Sequence, residues 1–122
     1  MITELLANTG FNRGFDQKGR LFVLIGRGTF SSAVLNTEEF RGRTRAIVMG
    51  EPSGGAINAY GEVSQFTLPN SKLVVGCSTR AFGNPSPGMT QGIVPDIQIE
   101  ESFADYARGI DDVYEAVKNY RS

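Results

Sequence analysis

The chain contains no histidine and a single cysteine, Cys77. Without His or a second Cys it can build neither an internal disulfide nor the usual transition-metal site, so no structural metal and no cofactor are expected. Excess charge of one sign is missing too: 12 Lys plus Arg face 13 Asp plus Glu, a formal charge of −1. Nothing therefore draws the chain to nucleic acid or to an anionic membrane surface. No apolar run approaches the roughly 20 residues that cross a bilayer, and the first residues lack the basic-then-apolar order of a signal peptide. The chain reads as soluble, with no membrane partner and no address that fixes its compartment.

What is present fits one domain, residues 1–122, large enough for a single core. Met1-Ile2-Thr3-Glu4-Leu5-Leu6 reads as the last turns of a helix with no strand or cap before it. The expectation is the C-terminal part of a longer polypeptide. No internal repeat or low-complexity segment interrupts the pattern, and Asn8 to Gly19 is a turn-rich loop.

Leu21-Phe22-Val23-Leu24-Ile25 is a continuous apolar run closed by Gly26, which predicts a central strand buried on both faces. A helix follows from Thr29 or Phe30 to about Phe40, ended by Arg41-Gly42-Arg43, and Ala46-Ile47-Val48-Met49 reads as a second buried strand. Strand, helix and strand in this order predict a mainly parallel α/β layer. Val63 to Leu68 and Leu73 to Cys77, joined by Pro69-Asn70-Ser71-Lys72, predict a β-hairpin with Cys77 as a small core residue. Gly83 to Gly92 is a loop ahead of a short strand at Ile97 to Ile99. Tyr106, Ile110, Val113, Val117 and Tyr120 recur at helical spacing behind a capping pattern at Ser102 to Asp105. They predict one C-terminal amphipathic helix docked on the sheet, with Asp111, Asp112, Glu115, Lys118 and Arg121 on its solvated face.

Gly26-Arg27-Gly28-Thr29-Phe30-Ser31-Ser32 lies between a buried strand and a helix, where a tight turn can lift a hydroxyl toward a substrate. The glycines permit close approach of a bound chain, and free N–H groups at a helix start can stabilise a developing oxyanion. On spacing alone the motif suits a helix cap as well as a nucleophile, since Ser and Thr are favoured N-caps. A phosphate loop is less well matched: neither the Lys-Ser/Thr ending nor the full dinucleotide glycine set is there.

A longer span adds a resemblance. Leu24 to Ala33, Gly50-Glu51-Pro52-Ser53-Gly54-Gly55 and Asn58-Ala59-Tyr60-Gly61-Glu62 are similar to three ordered motifs of the C-terminal-processing (tail-specific or tricorn-type) serine peptidases. Leu68-Pro69-Asn70-Ser71, Ser78-Thr79-Arg80 and Val94-Pro95-Asp96-Ile97 resemble that family's later hairpin and its "PDI" strand, so the likeness runs from about Gly19 to Tyr120. It implies the C-terminal part of a ClpP/crotonase-like α/β spiral and a peptide or protein substrate. It places the nucleophile at Ser31 and an oxyanion donor at the Ser32 N–H. Gly28, Asn58 and Tyr60 are candidate substrate contacts, with turn ordering as the alternative for Asn58 and Tyr60. Glu51, inside a matched motif, reads as a solvated or capping carboxylate.

Two departures stand beside the resemblance. The tail-specific branch has a general-base Lys after its Gly-Glu-Pro run, where this chain has Ala56. Lys18, Lys72 and Lys118 fall in a loop, a hairpin turn and a surface helix. The tricorn-like branch uses an upstream His and a Glu shortly before the "PDI" strand; the aligned residue here is Met89. A serine hydroxyl without a base is a poor nucleophile near neutral pH, so these residues alone are expected to be inactive or nearly so. Three readings follow: a peptidase domain whose base arrives from an upstream segment, an oligomerising domain, and a binder of apolar ligands like the retinoid-carrier repeats of the same fold.

Overall fold

A computed structural model describes residues 14–16, 20–83 and 91–121. Its elements in chain order are β1 (Phe22–Ile25), α1 (Ser32–Arg43), β2 (Ile47–Gly50), β3 (Ala59–Thr67), β4 (Val74–Phe82), β5 (Ile97–Gln98), α2 (Phe103–Ala107) and α3 (Asp112–Lys118). Strands β1, β2 and β5 form a parallel sheet in that order, with Ile25 opposite Gly50 and Met49 opposite Ile97. Strands β3 and β4 form a separate antiparallel pair.

The parallel layer is as the apolar runs predict, but the places of the strands differ. Strand β2 is the central one: Val48 and Met49 are almost fully buried. Strand β1 pairs only with β2 among the described residues, and Leu24 on it is exposed. An apolar run records average burial, not the number of hydrogen-bonded neighbours, so the two strands look alike in sequence. The core cluster is Ile25, Val34, Val48 and Ile93, with Val23 and Ile57 packed against it.

Helix α1 starts at Ser32, later than the sequence suggests, because residues 26–31 are used by the turn described below. It also runs past Phe40 to Arg43. Arg41 and Arg43 lie in its last turn, where cations meet the negative end of the helix dipole. Arg43 pairs with Glu39 at 2.8 Å. The Thr44 hydroxyl closes the helix by donating to the Phe40 carbonyl at 2.6 Å. Arg41 reaches across to the Val94 carbonyl at 2.7 Å and Asp96 Oδ1 at 3.2 Å. Asp96 Oδ2 accepts the Val48 N–H at 2.8 Å, so the Val94-to-Ile97 stretch is stitched to both the sheet and the helix.

The hairpin is longer than predicted and bare. Tyr60, Val63, Phe66, Leu73 and Val74 are exposed. Cys77 is exposed as well, which corrects its expected place in the core: among the described residues no element packs over the two-stranded sheet, and such a sheet buries no side chain, whatever its pattern.

The single C-terminal helix is also corrected, to two short ones. Gly109 takes φ +72°, a left-handed conformation that breaks the helical run. Asp111 then caps α3 by accepting the Tyr114 N–H at 2.9 Å. Ser102 caps α2 as the pattern predicts, accepting the Asp105 N–H at 3.0 Å, while its own N–H donates to Asp112 Oδ2 at 2.7 Å. Only the second helix docks, through buried Val113 and through the Tyr120 ring beyond its end, which meets Phe22 edge-on at 5.1 Å. No helix among the described residues is long and apolar enough to cross a membrane.

Candidate active site

The segment between β1 and α1 is a tight turn stabilised by its own threonine. The Thr29 N–H donates to the Gly26 carbonyl at 2.8 Å, and the Gly26 N–H donates to Thr29 Oγ1 at 3.0 Å. With Thr29 holding the turn, Ser31 is left at the helix entrance with φ +53° and ψ −123°. That region is sparsely populated for any residue with a side chain, and holding one there costs about 1–3 kcal/mol. The Ser31 side chain makes no capping hydrogen bond. The capping role open on spacing alone is therefore not the one Ser31 performs: its carbonyl accepts the Val34 and Leu35 N–H groups at 3.0 and 3.4 Å, and its hydroxyl has no capping partner among the described residues.

The loop after β2 presses on this turn and over-determines it. Gly50 sits at φ +123°, and a Cβ there would collide with the Ile25 carbonyl. A Cβ on Gly54 would strike the Arg27 carbonyl, and one on Gly55 would lie 2.9 Å from Val34 Cγ2 and 3.0 Å from the Phe30 ring. The Gly55 N–H donates to the Thr29 carbonyl at 3.0 Å. Ser53, which sequence reasoning did not single out, fixes the loop from below. Buried, it donates its hydroxyl to the Gly55 carbonyl at 2.7 Å and accepts the Ile93 N–H at 2.7 Å. Its hydroxyl both donates and accepts within the protein, so Ser53 acts as a latch on the loop. Its signal in sequence is only that it falls inside the Gly50-to-Gly55 run.

The predicted residues separate into three groups. Ser31 is exposed, and with Ser32, Ala56 and Tyr60 it borders one cleft of about 280 Å³ between α1 and the base of the hairpin. The Ser32 N–H, the first in α1, has no acceptor among the described residues and opens on the positive end of a 12-residue helix. Gly28 borders a different recess of about 410 Å³, with Gly26, Arg27, Glu51 and Glu101. Glu51 there is half-buried and accepts from Arg27 at 3.0 Å, so it is an ion-pair partner more than a solvated residue. Asn58 lies at the hairpin base with its side-chain oxygen against Gly83.

Ala56, at the position of the tail-specific base, lines the Ser31 cleft and bridges to Gly92 in the chain. Lys72 sits in the hairpin turn at φ +61°, and Lys118 pairs with Glu115 at 2.6 Å on the surface. Lys18 and Met89 lie outside the described residues. Among those described, no group of three His, Cys, Asp or Glu could hold a metal ion.

Comparison with known proteins extends this geometry. The chain resembles the solved structure of a protein described as a peptidase from Parabacteroides merdae, at 23% identity over 82% of this chain and 31% of that one, with a TM-score of 0.53. It resembles mature CPAF at 24% identity over 83% of this chain and 21% of that one, with a TM-score of 0.55. An S41 protease from Bacteroides fragilis aligns at 13% identity over 80% and 26% of the two chains, with a TM-score of 0.53. The chain thus spans between a fifth and a third of these structures, and at such identities they speak for the fold. No curated protein sequence matches significantly. A family profile, however, matches residues 4–99, most of the chain and all of the turn, loop and hairpin just described: this chain belongs to peptidase family S41.

Proposed function

We propose that the chain forms the nucleophile-bearing part of a serine peptidase that cleaves peptide bonds through Ser31. One observation carries the reading. A serine held at φ +53°, with no capping bond and at the edge of a cleft, is a costly arrangement that a helix cap does not need and a nucleophile does. In the reaction Ser31 Oγ attacks the scissile carbonyl carbon and a base removes the hydroxyl proton. The oxyanion is held by N–H donors including that of Ser32, and the leaving amine is protonated as the acyl-enzyme forms. The fold of the complete domain on this reading is the ClpP/crotonase-like spiral of the tail-specific and tricorn-type peptidases, with peptides or proteins as substrates.

The base is the group these residues do not supply. With no His and with Ala56 in the cleft, it comes on this reading from an upstream segment of the full-length polypeptide. Fluorophosphonate labelling tests the proposal. The full-length polypeptide is expected to label stoichiometrically and Ser31→Ala not at all; failure of the unsubstituted protein to label removes it. Ala56→Lys, which restores an amine to the cleft wall, is expected to accelerate labelling of the 122-residue chain by about 10²-fold.

A second reading keeps the fold without the chemistry, as a domain that associates through the hairpin. The exposed Val63, Phe66, Leu73 and Val74 favour it. Light scattering over a concentration series tests it, with a strictly monomeric chain as the result against. The cleft beside Ser31, at about 280 Å³, lies at the small end of ligand sites, which usually run from about 300 to 1,000 Å³.

A further inference from the structure

The wall of the Ser31 cleft on the hairpin side is braced from behind. The Phe82 ring lies against Gly61, where a Cβ would come within 3.0 Å of Phe82 Cε2. The Arg80 guanidinium stands 5.0 Å from the centre of that ring, and its Nη1 pairs with Glu62 Oε1 at 2.8 Å. Glu62 itself is held at φ +53°, with its carbonyl accepting from the Thr79 hydroxyl. Phe82 is thus clamped between a glycine and a cation, and Glu62, the carboxylate bordering the cleft, has its charge answered by Arg80. Phe30, Leu35 and Ile57 complete a lining whose surface is mostly apolar.

Resting on the peptidase reading, we propose that this recess is a specificity pocket for a large apolar side chain, of leucine or phenylalanine size, on the residue whose carbonyl Ser31 attacks. Its volume of about 280 Å³ accommodates one such side chain. The position follows from covalent geometry. A carbonyl set between Ser31 Oγ and the Ser32 N–H has its own side chain one carbon away, so a recess that touches both serines is within its reach. The 280 Å³ recess borders both, whereas the recess at Glu51 and Glu101 borders neither. Apolar lining without an unanswered charge favours a hydrocarbon side chain and leaves a carboxylate or ammonium unpaired on entry.

The test is titration of the full-length polypeptide, bearing Ser31→Ala to prevent turnover, with capped tetrapeptides ending in Leu, Phe, Ala, Asp or Lys. Leu and Phe peptides are expected to bind at least about ten-fold tighter than the Ala, Asp and Lys peptides. Leu35→Asp, an exposed helix position, is expected to shift the preference to the Lys peptide, a gain that general damage to the fold would not produce. Arg80→Ala, which frees Phe82, is expected to lower the Leu-to-Ala ratio. Equal binding of all five peptides, or Leu35→Asp without a gain for Lys, overturns the pocket. Fluorophosphonate labelling of the unsubstituted protein keeps the two ideas apart. Labelling without peptide discrimination sinks the pocket alone, and discrimination without labelling sinks the nucleophile while the recess stands.

Discussion

The parallel sheet with α1 and the β3–β4 hairpin contrast in almost every physical respect. The buried apolar residues Ile25, Val34, Val48 and Met49 belong to β1, α1 and β2, while no residue of β3 or β4 is buried. The first region can hold a strained backbone, because the turn before Ser31 is pinned by the Gly54 and Gly55 backbone against Arg27, Thr29 and Phe30 although Ser31 itself is exposed. The second has only its own cross-strand ladder, and an isolated two-stranded sheet is marginal in water. The cleft lies where the two meet. Its chemical side is thus rigid and its hairpin side gains order chiefly from local clamps such as Arg80 on Phe82. Such a division suits a site that must aim one atom while admitting different chains.

Four changes would sharpen or break the contrast. Met49→Ala, in the central strand, should cost about 2–5 kcal/mol in denaturant unfolding; a cost under 1 kcal/mol would show that β2 is not the anchor. Ser31→Gly should stabilise the chain by about 1 kcal/mol while abolishing labelling, since glycine accepts φ +53° without strain. A destabilised glycine variant would mean that the turn is not strained. Phe66→Ser, on the bare hairpin, should stay within about 0.5 kcal/mol of the parent; a larger loss would reveal that something covers this face in solution. The smallest effect concerns Asp105 on α2, also outside the core. Hydrogen bonding from Arg108, then from Ser102, holds its carboxyl below the ordinary value of 3.8. A lowered carboxylate contributes stability above its unfolded value and loses it as pH falls through the folded one. The amide resonances of Ser102 to Ala107 should therefore shift in acid, below about pH 3.8, before the core residues respond. A core that unfolds first would contradict this ordering.

The order of strands and helices was largely legible because each element's apolar pattern is local. The parallel layer, the hairpin and the Ser102 cap are where composition and period put them. Three features were not. That β1 has β2 as its one partner among the described residues depends on segments far along the chain. The break at Gly109 sits inside a period that continues across it, so Tyr106 and Ile110 match a helix stripe although both are exposed. Cys77 has a sequence context suited to a core strand, but no sheet or helix among the described residues covers β4. At the site, Ser31 and Ser32 could be named from their place between strand and helix. Gly28 and Asn58 shared motifs with residues of the cleft yet do not line it. Leu35 and Phe82 line that cleft with no motif to mark them, while Arg80, inside the Ser78-Thr79-Arg80 match, only braces it through the Phe82 ring.

The sequence by itself determined the kinds of element, the absence of any histidine base, and a serine at a strand-to-helix junction, because all three are properties of residue type and near-neighbour spacing. Only the tertiary structure decided that Thr29 and not Ser31 secures the turn, that Ser53 latches the loop, and that an apolar recess adjoins Ser31. Those depend on backbone dihedrals and on contacts between segments 20 to 50 residues apart, such as Ser53 with Ile93 and Gly55 with Thr29. Such contacts exist only once the sheet has set the distances between them.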